Sequence, residues 1–143
     1  MDFSLSEEQQ AIFDMAHDFG QTAIAPHAIA WDEKGEMPKD MLREAAGLGL
    51  ASIYVPEAHG GSGLTRLDAT LIFEALAMSC PSVSSFLSIH NMVAWMVSSF
   101  GDDDLRDRFQ ADLNSMTKIA SYCLTEPGSG SDAAALKTKA TRT

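Results

Sequence analysis

The sequence predicts a mainly α-helical fold that ends in one strand and a polar loop. Apolar residues recur every three or four positions through most of the chain, and residues that favour helix N-termini precede these stretches. A single run of β-type residues follows near the C-terminus. We therefore expect a helical domain over residues 1–117 and the truncated start of a β domain over residues 118–143.

The composition is that of one globular domain with an acidic surface. The chain has 143 residues, is 45% hydrophobic and carries a formal net charge of −10, which disfavours binding to nucleic-acid backbones. No apolar run approaches the roughly 18 residues of a membrane-spanning helix. The N-terminus has no signal-peptide or transit-peptide pattern, so we expect a soluble cytoplasmic protein. Cys80 and Cys123 lack metal or redox-pair spacing, and we expect buried thiols in a reducing compartment.

The first half of the chain predicts two helices. Ser6 can cap the first, with Gln9 completing a capping box, and its apolar stripe continues to about Ala25. A polar turn is expected over residues 32–36. Pro38 can occupy the first position of the next helix, which a glycine at 47 or 49 ends. The glycine-rich run 59–63 lacks the Lys-Ser/Thr ending of a phosphate loop and is interpreted as a connector.

Three more helices are predicted before the strand. One covers about Leu67 to Met78, capped by Thr65 or Asp68, and is apolar on more than one side, as buried helices are. The next covers about Ser82 to Phe100. The acidic run 102–104 caps the last, whose apolar stripe contains the following residues: Leu105, Phe109 and Leu113.

A strand over 119–124 then delivers a polar loop, Tyr122–Asp132. Pro127 fixes one φ angle and lacks an N–H, while Gly128 and Gly130 tolerate backbone angles closed to other residues. Successive free N–H groups in such a turn form a concave anion-binding nest. The loop also offers three hydroxyls, those of the following residues: Thr125, Ser129 and Ser131. We expect this loop to bind a ligand.

The loop also matches a relaxed dinucleotide-binding fingerprint, Gly-x-Gly-x-x-Ala, over residues 128–133. That fingerprint requires a following helix, a second strand and an acidic residue about 20 positions on. The sequence ends at Thr143, before these could all appear, and Pro127 fits the fingerprint poorly. We therefore favour a different ligand.

The eleven residues Tyr122–Asp132 resemble the flavin-binding signature of the acyl-CoA dehydrogenases. The resemblance extends through the whole chain from the Leu-Ser-Glu-Glu-Gln-Gln opening at 5–10. Within the family, the stretches 61–68, 72–77 and 88–96 resemble the branch that oxidises isobutyryl-CoA. This resemblance implies an N-terminal helical domain, followed in the complete enzyme by a β domain and a second helical domain.

The resemblance also implies a function, a cofactor and partners. Family members use FAD to oxidise an acyl-CoA to its 2-enoyl-CoA, form homotetramers and pass electrons to electron-transferring flavoprotein. It implies a short, branched acyl substrate here. The positions that match flavin contacts are Tyr122, Leu124, Thr125, Gly130 and Ser131. The positions that match acyl-CoA contacts are Ser131, Ser84, Ser88 and Met92, with Trp95 nearby.

No catalytic or metal-binding residue is assigned. The family's catalytic glutamate matches no residue of this chain, and Glu126 belongs to the flavin signature. We expect a fragment of a longer enzyme that alone neither turns over substrate nor holds flavin tightly, from the mitochondrial matrix if the source is eukaryotic. Three alternatives stay open: another short- or branched-chain family member, a non-catalytic helical interaction module, or an unrelated helical bundle with an anion-binding loop.

Overall fold

A computed structural model describes residues 4–141 and confirms the mainly helical prediction. The α-helices of this range are α1 (Glu7–Phe19), α2 (Ala28–Lys34), α3 (Lys39–Gly47), α4 (Arg66–Ala77), α5 (Pro81–Phe100) and α6 (Asp103–Asn114). Short 3₁₀ turns lie at Glu57–His59 and Ala133–Ala135. None of these helices is long and apolar enough to cross a membrane.

Helix α1 begins as predicted and continues into a π-turn. The Ser6 hydroxyl accepts from the Gln9 N–H at 3.1 Å, and the Gln9 side chain accepts from the Ser6 N–H at 3.1 Å. The π-turn covers Gly20–Ile24. A Cβ on Gly20 would lie 2.6 Å from Oγ of Ser79. Glycine therefore lets α1 approach the α4–α5 connection closely.

Two details of the first half differ from prediction. The polar turn expected over 32–36 is partly helical, because α2 extends to Lys34 and ends at Gly35 with φ +66°. Helix α2 has only seven residues, and its apolar residues 28–31 are consecutive rather than spaced at helical intervals, so it lacks the periodic pattern that reveals a helix in a sequence. Pro38 is the N-cap of α3 rather than its first residue.

The second half follows the prediction closely. Thr65 caps α4 in a box with Asp68, Pro81 opens α5, and the Asp102 carboxylate accepts from the Leu105 N–H at 2.9 Å to cap α6. Helix α4 packs against α1 on one side and α5 on the other, and α5 also packs against α6. The largest buried side chains of this core are Ile24, Leu42, Leu50, Ile53, Ile72, Leu76, Leu87 and Met116.

Two adjacent, fully buried polar residues on α5 connect the helices to non-helical segments. The side chain of Asn91 accepts from the Ile53 N–H at 2.7 Å and donates to the Leu50 carbonyl at 2.8 Å. His90 bonds to the Leu113 carbonyl in the last turn of α6 and to the Ala120 N–H beyond that helix. Because buried polar groups need partners, these bonds fix where the two segments lie.

Candidate functional site

The predicted strand over 119–124 does not form. Within residues 4–141 the only β-type pairing is one isolated antiparallel bridge between Glu126 and Ser129. Their backbones exchange N–H···O bonds of 2.9 and 3.1 Å. A strand needs a second strand to take its N–H and C=O groups, and no described segment pairs with 119–124. Residues 119–125 are therefore an irregular segment that leads into a tight turn.

The anion-binding nest predicted in this turn does not form either. The N–H groups of Glu126 and Ser129 are used inside the turn. Gly128 and Gly130 both lack the positive φ that a nest requires. A Cβ at either glycine would meet nothing within 4 Å. The chain itself thus does not require glycine at these two positions, and a ligand can approach the backbone there.

The dinucleotide-binding interpretation also fails on this geometry. That motif needs a strand before the first glycine and a helix after the last. No strand precedes Gly128 in the described part of the chain, and the next element is the 3₁₀ turn Ala133–Ala135. The two cysteines are less buried than the sequence predicts. Cys123 is exposed, and Cys80 is only partly buried.

The Glu126 carboxylate holds the loop to the residues that follow it. It accepts from the backbone N–H of Lys137 at 2.9 Å and of Thr138 at 2.8 Å. The Thr138 hydroxyl also donates to it. These bonds, that of the Thr138 hydroxyl first, lower the pKa of Glu126 below its usual value. A carboxylate so stabilised in its charged form is a structural clamp and a poor proton acceptor.

The residues predicted to contact a flavin lie just before and just after this turn, and most of them are exposed. Leu124 is partly buried, and the other four positions, Tyr122, Thr125, Gly130 and Ser131, are exposed. Among residues 4–141, no hydrogen bond uses the hydroxyls of Thr125 and Ser131 or the N–H groups of 121–125. The segment therefore presents free donors and acceptors side by side. Their flavin contacts stay a prediction.

Helix α5 faces this segment across a shallow groove of about 280 Å³. The lining residues are Ser82, Ser85, Phe86 and Ile89 of α5 with Ala120 and Ser121. Their helical spacing of three, four and seven places the α5 residues on one face. The sequence interpretation missed Ser85, Phe86 and Ile89, although this spacing was visible in it.

The predicted acyl-CoA residues of α5, spaced by four, share one side of the helix but differ in burial. Ser84 is buried, and its hydroxyl donates to the Phe73 carbonyl of α4 at 2.8 Å. Ser88 is partly buried and donates to the Ser85 carbonyl at 2.9 Å. Met92 is partly buried one turn further on. Ser131 makes no hydrogen bond to α5 within the described residues, so these positions stay a prediction.

Trp95 lies beside a guanidinium rather than near the groove. The Arg66 guanidinium carbon is 4.6 Å from the Trp95 ring centroid and 3.6 Å from that of Tyr54. Burial raises the pKa of Tyr54, and the positive charge of Arg66 partly offsets this increase. Trp95 therefore helps to hold the start of α4 against the 50–55 segment.

Comparisons with known proteins identify the family. A model of the acyl-CoA dehydrogenase N-terminal domain matches residues 6–117. The chain belongs to the acyl-CoA dehydrogenase family, as the signature predicted. It is 53% identical over 138 residues to a mitochondrial isobutyryl-CoA dehydrogenase of Dictyostelium discoideum and 50% identical to one of Bos taurus. Each match covers 96% of this chain and 33% of the relative.

Solved structures agree with this assignment. Glutaryl-CoA dehydrogenase from Mycobacterium smegmatis superposes with a TM-score of 0.88 at 30% identity, covering 97% of this chain and 36% of that one. The FAD complex of PigA superposes with a TM-score of 0.84 at 30% identity, covering 93% of this chain and 36% of that one. The chain thus spans about a third of the length of the relatives it matches.

Proposed function

We propose that the complete protein oxidises a short, branched acyl-CoA of the isobutyryl-CoA type to the 2-enoyl-CoA. The observation that carries this proposal is the 53% identity, over 96% of the chain, to a protein named isobutyryl-CoA dehydrogenase. Half of the residues are identical in a second protein of that name. Such identity extends far beyond the flavin signature, so it supports the substrate branch as well as the family.

FAD is the proposed cofactor, and the free polar groups of the segment fit it. A flavin ring edge carries both donors and acceptors, and the unpartnered Thr125 hydroxyl can act as either. The backbone N–H groups of 121–125 are free, and the open space at Gly128 and Gly130 allows close approach. Bound FAD would supply the hydride-accepting chemistry. The residues proposed to hold it are Tyr122, Leu124, Thr125, Gly130 and Ser131.

The proposed role of this chain is to position the reactants rather than to move the proton. Glu126 is the only carboxylate between Tyr122 and Ser131. Its oxygens are occupied by Lys137 and Thr138, and its pKa is lowered. It therefore does not suit the role of the base that removes the α-proton. We assign that base to a glutamate outside residues 1–143.

The acyl chain is proposed to lie along α5, near the groove. Ser88 and Met92 are the α5 residues that best fit a substrate role, because both are only partly buried. Ser131 would approach the acyl-CoA from the signature segment. For Ser84 the same role remains a prediction, since its hydroxyl already bonds to α4. Phe86 and Ile89 would restrict the width of the groove, which suits a short chain.

Assembly, partners and compartment are proposed on family grounds. Electron-transferring flavoprotein would reoxidise the cofactor, and the complete enzyme would be a homotetramer. Both curated relatives are named as mitochondrial proteins, which supports a mitochondrial matrix location if the source is eukaryotic and a cytoplasmic one otherwise. The division of the chain at residues 117 and 118 into a helical domain and the start of a β domain is part of the same proposal.

The substrate proposal is tested by comparing turnover of isobutyryl-CoA and octanoyl-CoA by the complete enzyme. We expect the higher kcat/KM with isobutyryl-CoA. Faster turnover of octanoyl-CoA would contradict the branched-chain assignment while leaving the family unchanged. Residues 1–143 alone should turn over neither substrate, and stoichiometric flavin on the isolated chain would contradict the proposal that it holds flavin only weakly.

The cofactor proposal is tested separately with a matched pair of threonine variants. Thr125→Val removes one of the free hydroxyls of the segment. Thr117→Val removes an exposed hydroxyl outside it, which bonds only to the Ser115 side chain at 3.0 Å. We expect weaker FAD binding by the complete enzyme for Thr125→Val and unchanged binding for Thr117→Val. Equal FAD affinity in the two variants would exclude Thr125 as a flavin contact.

A further inference from the structure

His90 occupies a buried position with both ring nitrogens in use. The residue is 0% exposed. Its Nε2 lies 2.9 Å from the Leu113 carbonyl oxygen, and its Nδ1 lies 3.2 Å from the Ala120 backbone nitrogen. A carbonyl only accepts and an amide N–H only donates, so Nε2 carries the hydrogen and Nδ1 is the acceptor. Burial also lowers the pKa of His90, which favours this neutral form.

The two bonds of His90 join the end of the helical domain to the signature segment. Leu113 lies in the last turn of α6, and Ala120 lies two residues before Tyr122. Between them the chain turns at Met116, which has φ +54° and is buried in the core. His90, on α5, therefore bonds to the backbone at both ends of this turn.

The bond to Ala120 is the last hydrogen bond between the helical body and the segment. Beyond it, within residues 4–141, every hydrogen bond of residues 121–141 stays within that stretch. The direction in which Tyr122 and Thr125 leave the helical domain is therefore set at Ala120. Nδ1 of His90 is the group that holds this point.

We propose that His90 is a positioning residue for the flavin-binding segment, acting through the bond from the Ala120 N–H to its Nδ1. The inference rests on the proposed function, because it assumes that the segment binds FAD. His90 itself has no contact with the cofactor in this role. It holds the segment before the ligand arrives, and so reduces the ordering that binding requires.

Two conservative variants of the complete enzyme separate this role from simple core packing. The amide oxygen of asparagine can replace Nδ1, so His90→Asn keeps the acceptor for Ala120 and loses the donor to Leu113. The amide nitrogen of glutamine can replace Nε2, so His90→Gln keeps the donor to Leu113 and loses the acceptor for Ala120. The Leu113 carbonyl keeps the Met116 N–H as a donor at 3.1 Å, and the Ala120 N–H is only partly buried, so we expect modest losses of thermal stability in both variants.

FAD affinity is the deciding measurement, obtained by titrating the apo-enzyme and following the flavin absorption and fluorescence. We expect His90→Asn to bind FAD within about twofold of the wild type and His90→Gln to bind about tenfold or more weakly, as the loss of one hydrogen bond predicts. Equal affinities in the two variants, whether both weakened or both unchanged, would overturn the proposal.

Amide exchange in the wild-type enzyme provides a measurement that needs no variant to fold. If His90 holds the segment in advance, the Ala120 amide exchanges slowly in the apo-enzyme, before FAD is added. Rapid exchange of that amide would overturn the inference. If the wild-type enzyme fails to bind FAD, the proposed function is wrong, and the exchange rate at Ala120 still decides whether His90 fixes the segment.

Discussion

Replacing Asn91 by alanine should destabilise the helical domain strongly, because it leaves two buried backbone groups without partners. The Ile53 N–H bonds only to the Asn91 side chain at 2.7 Å. The Leu50 carbonyl accepts only from that side chain, at 2.8 Å. Ile53 and Leu50 are 0% and 1% exposed, so water cannot replace the lost partner. At about 1–3 kcal/mol for each orphaned group, the total loss is about 2–6 kcal/mol.

This loss is a large share of the roughly 5–15 kcal/mol that stabilises an ordinary domain. Urea unfolding followed by circular dichroism measures it, with amide exchange at Ile53 as a local probe. Ser88→Ala, one turn away on α5, is the control. Its hydroxyl bonds only to the Ser85 carbonyl of its own helix, so we expect a change within about 0.5 kcal/mol. If Asn91→Ala costs no more than this control, the reasoning from orphaned groups is refuted.

Three further perturbations have defined outcomes. Gly61→Ala places a Cβ against the Val55 carbonyl oxygen, so the urea unfolding free energy should fall by about 1–3 kcal/mol. Arg66→Ala removes the charge that offsets burial at Tyr54, so spectrophotometric titration should show a further increase in the pKa of Tyr54. The pKa of Glu126 lies below its usual 4.5, so its hydrogen bonds to Lys137 and Thr138 should persist above pH 4.5 and break as the pH falls through the lowered pKa. Faster amide exchange at Lys137 and Thr138 would detect this loss.

The helices with local start signals could be predicted from the sequence. Ser6, Thr65 and Asp102 each cap the helix that follows them, since a side-chain oxygen within three residues of a free N–H is a local feature. Helix α2 was missed because it has only seven residues and its apolar residues are consecutive, so no helical period is visible. Its stability depends on neighbours that the local pattern does not contain.

The candidate site was harder to predict, because helix rotation and packing decide it. The regular spacing of Ser84, Ser88 and Met92 suggested one face of α5. Apolar residues surround that helix, however, so the sequence does not show which face meets α4. The structure turns Ser84 toward Phe73 and leaves Ser85 beside the groove. His90 was missed because its role depends on a backbone group 30 positions away.

The strand predicted over 119–124 does not form, which shows that β propensity alone does not decide a structure. Propensity describes one segment, whereas a strand is defined by bonds to another segment, and none forms within residues 4–141. If a strand elsewhere in the complete enzyme pairs with this segment, its register is already restricted. In a strand, successive N–H groups point to opposite sides. The Ala120 N–H points to His90. In such a strand the Tyr122 N–H would lie on that same side, and the N–H groups of Ser121 and Cys123 would lie on the opposite side.

That geometry makes a prediction about the complete enzyme. In such a strand the N–H groups of Ser121 and Cys123 would point away from α5, so the partner strand would protect both from amide exchange. The N–H of Tyr122 would face the same side as that of Ala120 and would not bond to this partner. Exchange rates of the three amides measure this directly. Protection of Tyr122 with rapid exchange at Ser121 and Cys123 would mean that the His90 bond does not set the register of the segment.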